Sequence, residues 1–290
     1  MAYGRVLISA DVDGAAAVAD AAVGNLTAFV ARLQRETAGA RVHPNPDVFL
    51  GDSGVPDATF NLVARARFAP ADARRRIAET IAAARGTGRP FAWWTDPAGA
   101  PDLGARLTAA GLKEDERAPL MVAELGDEDD MAPALPEGLE IREVRDAAAL
   151  AVFADLLADS FEPRAETVVE FFHRTAGALL ASLASAPGGE NAQDAGAMRP
   201  RLFLGCVRGE PVCTSQVVFA EGVAGLYNIV TRTGFRRRGF GAAMTLAAMR
   251  AAREADYRTV VLAASAMGEP VYRRLGFEVR GEFVVYAVEP

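Results

Sequence analysis

One stretch constrains this chain more than any other. Arg236, Arg237 and Arg238 run directly into Gly239, Phe240, Gly241 and Ala242. An apolar, strand-like run over 224–230 leads into it, and a helical pattern leads out. Past the glycines, apolar residues recur at 240, 243, 244, 247, 251 and 255, while Arg250, Arg253 and Glu254 take the other face. An Arg-x-x-Gly-x-Gly loop between a strand and a helix start suits an anion, above all a diphosphate. The glycines let the backbone approach without Cβ interference, and the first N–H groups of the helix point at the ligand. The helix dipole and the arginines add favourable charge.

Bulk properties remove several alternatives. The 290 residues leave room for two domains, and 51% hydrophobic content supports substantial cores. A net charge of -7 argues against nucleic acid as a partner. No apolar run reaches the roughly 18 residues of a membrane span, and the N-terminus lacks the basic start and apolar core of a signal peptide. The expectation is a soluble, cytoplasmic protein with no membrane partner. Lys113 is the only lysine and follows Gly111-Leu112, so a Walker-type phosphate lysine is excluded and Schiff-base chemistry disfavoured. The two histidines, His43 and His173, stand in unrelated contexts, leaving little for a metal site or a serine triad. No metal is expected.

The cysteines Cys206 and Cys213 flank a turn at Arg208-Gly209-Glu210-Pro211. If Val207 and Val212 pair across it, the thiols meet on the next rung, as a reduced pair filling a core.

Residues 127–137, acidic and then proline-rich, read as a linker between a first half, 1–126, and a second half, 138–290. The second half alternates as an α/β domain: a strand at 139–144, helices at 147–157 and 165–183, a hairpin at 202–207 and 212–220, a strand at 223–230, and a short buried strand at 259–264. Pro270 fits the first turn of a small helix, and 277–288 is strand-like with a bend at Gly281. The first half echoes this order, with a helix at 74–85 and a strand at Phe91-Ala92-Trp93-Trp94. The stretch 107–112 resembles 272–277 in register. Duplication explains the echo. The first copy looks degenerate, with Phe68-Ala69-Pro70 at the glycine-loop position and Leu107 at that of Tyr272.

A dinucleotide-binding reading fails, since Gly239-Phe240-Gly241-Ala242-Ala243-Met244 lacks the third glycine and no acid ends the next strand. The arginine-glycine loop and the later Val271-Tyr272-Arg273-Arg274-Leu275-Gly276-Phe277 together resemble the GNAT superfamily of acyl-CoA N-acyltransferases. The likeness covers 138–290 well and the first half only in order of elements. It implies an α/β (α+β) fold of two GNAT-like domains, a mixed sheet flanked by helices, with acetyl-CoA as cosubstrate.

The resemblance also implies roles. Backbone amides from Arg237 to Ala242 (Arg237, Arg238, Gly239, Phe240, Gly241, Ala242) would hold the CoA diphosphate, with Arg236 opening the loop. A strand splayed at Ile229, Val230 and Thr231 would offer backbone groups to the pantetheine arm and the thioester carbonyl. Losing one such oxyanion donor costs about 3 kcal/mol. Tyr272 would protonate the departing thiolate.

The chain departs from the family pattern at Ser265, where many members carry asparagine, and at Tyr227-Asn228, where a carboxylate is common. The base is unassigned among Glu221, Glu269 and the terminal carboxylate beside Glu289-Pro290. Phe161, Phe171 and Phe172 are candidates for the acceptor wall. The expected reaction is direct attack by a small-molecule primary amine in a ternary complex. An acyltransferase for a sugar or amino-acid amine in thiol or antibiotic metabolism, and a non-catalytic CoA-binding regulator, are the alternatives. Monomer and homodimer both stay open.

Overall fold

The structure, a computed structural model, describes residues 14–126, 135–184 and 199–290. Most of the expected linker, 127–134, and most of the loop at 186–200 lie outside the described residues.

The first half opens with a helix that the sequence pattern did not single out, α1 (Ala15–Arg35). Short strands follow, β1 (Arg41–Val42), β2 (Phe49–Asp52) and β3 (Leu62–Ala64). Then come α2 (Ala73–Arg85), β4 (Phe91–Thr95), α3 (Leu103–Ala109) and the long β5 (Lys113–Glu124). The second half runs β6 (Leu139–Glu143), α4 (Ala147–Ala158), α5 (Glu166–Ala184), β7 (Arg199–Val207), β8 (Glu210–Ala220) and β9 (Val223–Thr231). It ends with α6 (Phe240–Glu254), β10 (Thr259–Ala263), α7 (Glu269–Arg274) and β11 (Glu278–Val288). Local chemistry explains the boundaries. Asp146 caps α4 by accepting from the Ala149 N–H at 2.8 Å. Pro270 sits in the first turn of α7, where its missing N–H leaves no partner wanting. Gly111 and Gly276, at φ 90° and 87°, supply the left-handed turn that stops α3 and α7.

The two halves are not separate sheets. The eleven described strands form one sheet in the order β1-β2-β3-β4-β11-β5-β10-β9-β8-β7-β6. The last strand of each half is thus exchanged: β5 lies between β10 and β11, and β11 lies between β5 and β4, all antiparallel. Flanking this centre, β3 with β4 and β9 with β10 are the parallel pairs. The β5–β11 ladder carries two register shifts, skipping Asp115 and Arg280, at the same offset from Gly111 and Gly276. A bulge kept at matching places in both strands is a second mark of duplication.

Helices cover both faces. On one, α6 packs against Met121, Val217, Leu226, Val260 and Leu262. Beside it α2 and α3 cover Val63, Phe91, fully buried Trp93 and the β11 residues Tyr286 and Val288. On the other, α4 and α5 pack on Leu202 and Leu204, and α1 crosses the middle over Leu62, Leu120, Val223, Val261 and Phe283. Trp94 is only half-buried and meets Phe283 edge-on at 5.5 Å.

Helix α1 is long and apolar enough to cross a membrane by length and composition, which corrects the expectation that no apolar run reaches that length. Its apolar side is occupied by the sheet, and it also buries Asn25, Thr27 and Gln34 against protein.

The hairpin expectation for the cysteines is corrected. The tight turn is Arg208-Gly209 at φ 52° and 83°, so Val207 faces Glu210, and a bulge sets Cys213 opposite Gly205. Both thiols are free and buried, and burial pushes the Cys213 thiol up to about 12.

Candidate functional site

Strand β9 begins as an ordinary member of the sheet. It pairs in parallel with β10 only at Ala224 with Val260 and Gly225 with Val261. Beyond Gly225 the two strands part. Asn228, at φ 53°, shifts the register of β9 against β8 between the pairs Gln216–Tyr227 and Thr214–Val230. The Thr214 hydroxyl donates to the Asn228 carbonyl at 2.7 Å, and the Asn228 amide donates to Gln216 Oε1 at 2.7 Å. These contacts hold the irregularity in place. The edge of Ile229, Val230 and Thr231 that would face β10 is therefore outside the ladder, and all three residues are half-buried. Asn228 stood out in the sequence only as the place of a missing carboxylate, and Gln216 not at all. Gly225 inside a strand pattern was the available signal for a close backbone approach.

The loop after β9 is a single 3-10 turn, Thr233–Phe235, followed by alternating hands of backbone. Arg236 is extended, Arg237 left-handed at φ 64°, and Gly239 left-handed at φ 82°. Such alternation points successive N–H groups into one concavity. Gly239 is the N-cap of α6, no side chain caps it, and the first helical bond runs from Ala243 N–H to the Gly239 carbonyl. The N–H groups of Phe240, Gly241 and Ala242 thus have no helical partner. A Cβ on Gly241 would have only Thr231 Oγ1 near it, at 3.9 Å, so this end of the helix is open.

The arginines divide their work. Arg236 turns back and donates from Nε to the Thr231 carbonyl at 3.0 Å, closing the loop on the end of β9. Arg238 lies over the Phe235 ring at 5.4 Å and donates to the Gly234 carbonyl. Arg237 is exposed. Phe240 is buried and anchors the helix start in the core.

Tyr272 projects from α7, immediately after β10. It is half-buried on the core cluster that also receives Ile229, Phe235 and Phe240, and it tilts against Phe277 at 5.9 Å. Burial pushes its phenol up to about 12. Gly268 makes room for it, since a Cβ there would sit 2.8 Å from the tyrosine ring. Ser265 accepts from the Gly268 N–H at 3.2 Å, so its hydroxyl helps start α7.

Of the three named bases, Glu221 and the terminal carboxylate lie away from the opening, while Glu269 stays on α7 with Tyr272. Glu221 is in the turn before β9, roughly 30 Å along the strand from Thr231 at about 3.3 Å per residue. The chain end lies against the first half, where Val288 pairs with Phe91 and Arg85 donates to the Glu289 carbonyl. Glu269 is held by Arg273 at 2.6 Å. Of the acceptor-wall candidates, Phe171 and Phe172 belong to the cluster on which Val230 also packs. Phe172 is buried, and Phe171 stacks on Phe60 of the first half at 4.1 Å, whereas Phe161 is exposed.

The matching place in the first half is tied shut. Arg67, beyond the end of β3, pairs with Asp96, beyond the end of β4, at 2.8 Å, and with Asp20 of α1 at 2.7 Å. The Asp96 side chain is 1% exposed, so the bridge fills the gap between strand ends that stays open between β9 and β10. Among the described residues no group of three or more His, Cys, Asp or Glu is placed to hold a metal.

The overall fold recurs in solved structures. A GCN5-related N-acetyltransferase from Kribbella flavida superposes with a TM-score of 0.65 at 20% identity, over 91% of this chain and 95% of that one. The chain has the GNAT fold. A tandem GNAT protein from the clavulanic acid biosynthesis pathway gives 0.59 at 16% identity over 93% and 96%. A GCN5-related N-acetyltransferase from Sphaerobacter thermophilus gives 0.58 at 14% over 93% of each chain. Residues 203–286, which contain the loop and Tyr272, match the FR47-like protein family. No curated protein matches the sequence.

Proposed function

We propose that this protein is an N-acetyltransferase that moves the acetyl group of acetyl-CoA to a small-molecule primary amine by direct attack in a ternary complex. The observation that carries the reading is one juxtaposition. Strands β9 and β10 part before an uncapped, glycine-lined helix start, with a half-buried tyrosine on the neighbouring helix. This suits a ligand with a diphosphate at one end and an extended arm at the other.

The N–H groups from Arg237 to Ala242 would grip the diphosphate, and Arg236 would shape the loop rather than contact the ligand. The free edge of Ile229, Val230 and Thr231 would align the arm and donate to the thioester oxygen as negative charge develops there. Acetyl-CoA supplies an activated acyl group. The amine nitrogen bonds to the acyl carbon, the carbon–sulfur bond breaks, Tyr272 gives its proton to the sulfur, and solvent takes the surplus amine proton. A phenol held up to about 12 keeps that proton at neutral pH. The buried thiols Cys206 and Cys213 offer no nucleophile for an acyl-enzyme. The free thiols and the net charge of -7 support a cytoplasmic protein without nucleic-acid or membrane partners.

Thiol release from acetyl-CoA across a panel of amines, sugar and amino-acid amines included, tests the reading. Acetyl-CoA binding with no turnover on any amine would replace it with the non-catalytic regulator.

A further inference from the structure

The first half reaches into the base of the β9–β10 opening through one side chain. Asn25, in the middle of α1, is completely buried. Its Nδ2 donates to three carbonyls of the β8–β9 hairpin: Val218 at 3.0 Å, Ala220 at 3.1 Å and Val223 at 3.0 Å. Its Oδ1 accepts the Tyr227 hydroxyl at 2.8 Å. The Tyr227 ring is stacked on Phe29, one turn further along α1, with centroids 6.4 Å apart. Gly225 lies directly beneath. A Cβ there would fall 2.3 Å from Asn25 Oδ1 and 2.6 Å from the Tyr227 oxygen. Gly225 is also the last residue of β9 that pairs with β10.

We infer that Asn25 is a positioning residue for acyl transfer: with Tyr227 it pegs the β8–β9 hairpin to α1 and so fixes where β9 leaves β10. The inference rests on the acyl-CoA reading above and gives the degenerate half a task in the competent one. Every polar atom of the peg is used, so a change of strand angle at Gly225 breaks buried hydrogen bonds at once. That makes the opening a fixed feature rather than one that closes when the arm is absent. Tyr227, whose phenol burial pushes up and whose proton is committed to Asn25, serves as a strut and not as an acid or base.

The peg sits at the closed end of the opening, where β9 and β10 begin to part beside the stretch that would take the pantetheine arm. The diphosphate loop lies at the other end of β9. Calorimetric titration with CoA and with ADP, which carries the diphosphate without the arm, therefore separates positioning from general damage. Asn25→Ala is expected to weaken CoA by roughly tenfold or more while ADP stays within about twofold. Tyr227→Phe keeps the stacked ring, should shift CoA in the same direction, and should be non-additive with Asn25→Ala. If Asn25→Ala does not fold, Tyr227→Phe decides alone. Parallel loss of CoA and ADP, or unchanged CoA affinity in a folded variant, overturns the inference. Wild-type protein that binds neither ligand sinks the acyl-CoA reading, and this one with it.

Discussion

Tyr272 combines a half-buried ring, a phenol raised to about 12 and a place among the residues that line the loop. The acid form is the active one in our reading, and a raised value moves its loss to higher pH. Turnover should therefore show no alkaline limb from this group below about pH 10, and a limb near 9 that disappears in Tyr272→Phe would contradict the assignment. That variant should lower kcat by about a hundredfold or more with acetyl-CoA affinity nearly intact, as measured by thiol release beside calorimetry. An equal fall in both would make Tyr272 a packing residue. The two loop glycines should behave differently. Gly239 is left-handed, so Gly239→Ala should cost about 1–2 kcal/mol of stability in chemical denaturation, along with ligand affinity. Gly241 has open space around it, so Gly241→Val should leave stability unchanged while abolishing CoA binding.

Among the elements, those with a local signature were legible. The 3.6-residue apolar period marked α6, the Gly-Glu-Pro turn marked the β7–β8 hairpin, and Pro270 marked α7. Helix α1 was missed although its apolar stripe is as marked as that of α6, and its buried polar residues make sense only against the distant strands β8 and β9. The bulge at Asn228 was invisible for the same reason, since its supports, Thr214 and Gln216, come from the neighbouring strand. The glycine loop and Tyr272 were legible because both are contiguous motifs. In the first half the sequence showed only that glycine and tyrosine were missing. The structure adds what stands there instead, a bridge from Arg67 to Asp96 that joins the ends of β3 and β4. Arg67→Ala would strand the Asp96 carboxylate in the interior and should destabilise the protein by about 3 kcal/mol. In urea titrations a loss under 1 kcal/mol would mean that water already reaches that carboxylate.

At the scale of the whole molecule, strand exchange makes the duplication a single folding problem. Taken alone, residues 138–290 would leave β10 without its antiparallel neighbour and β11 with no described partner strand, because both flank β5. Two bare, largely apolar edges are templates for aggregation. They would also uncover Val223 and Val261, which α1 shields in the full chain. The second half, although it carries the loop, the splayed strand and Tyr272, should therefore be insoluble or unfolded by itself. Coexpression with residues 1–126 should restore a soluble complex, since the exchanged strands need proximity and not a continuous backbone. Full-length protein should unfold in one calorimetric transition, with the β5–β11 ladder among the slowest amides to exchange. A soluble, CoA-binding fragment of 138–290 with native circular dichroism would show that the exchange is dispensable. In that case the first half would be an appendage to a domain that stands without it.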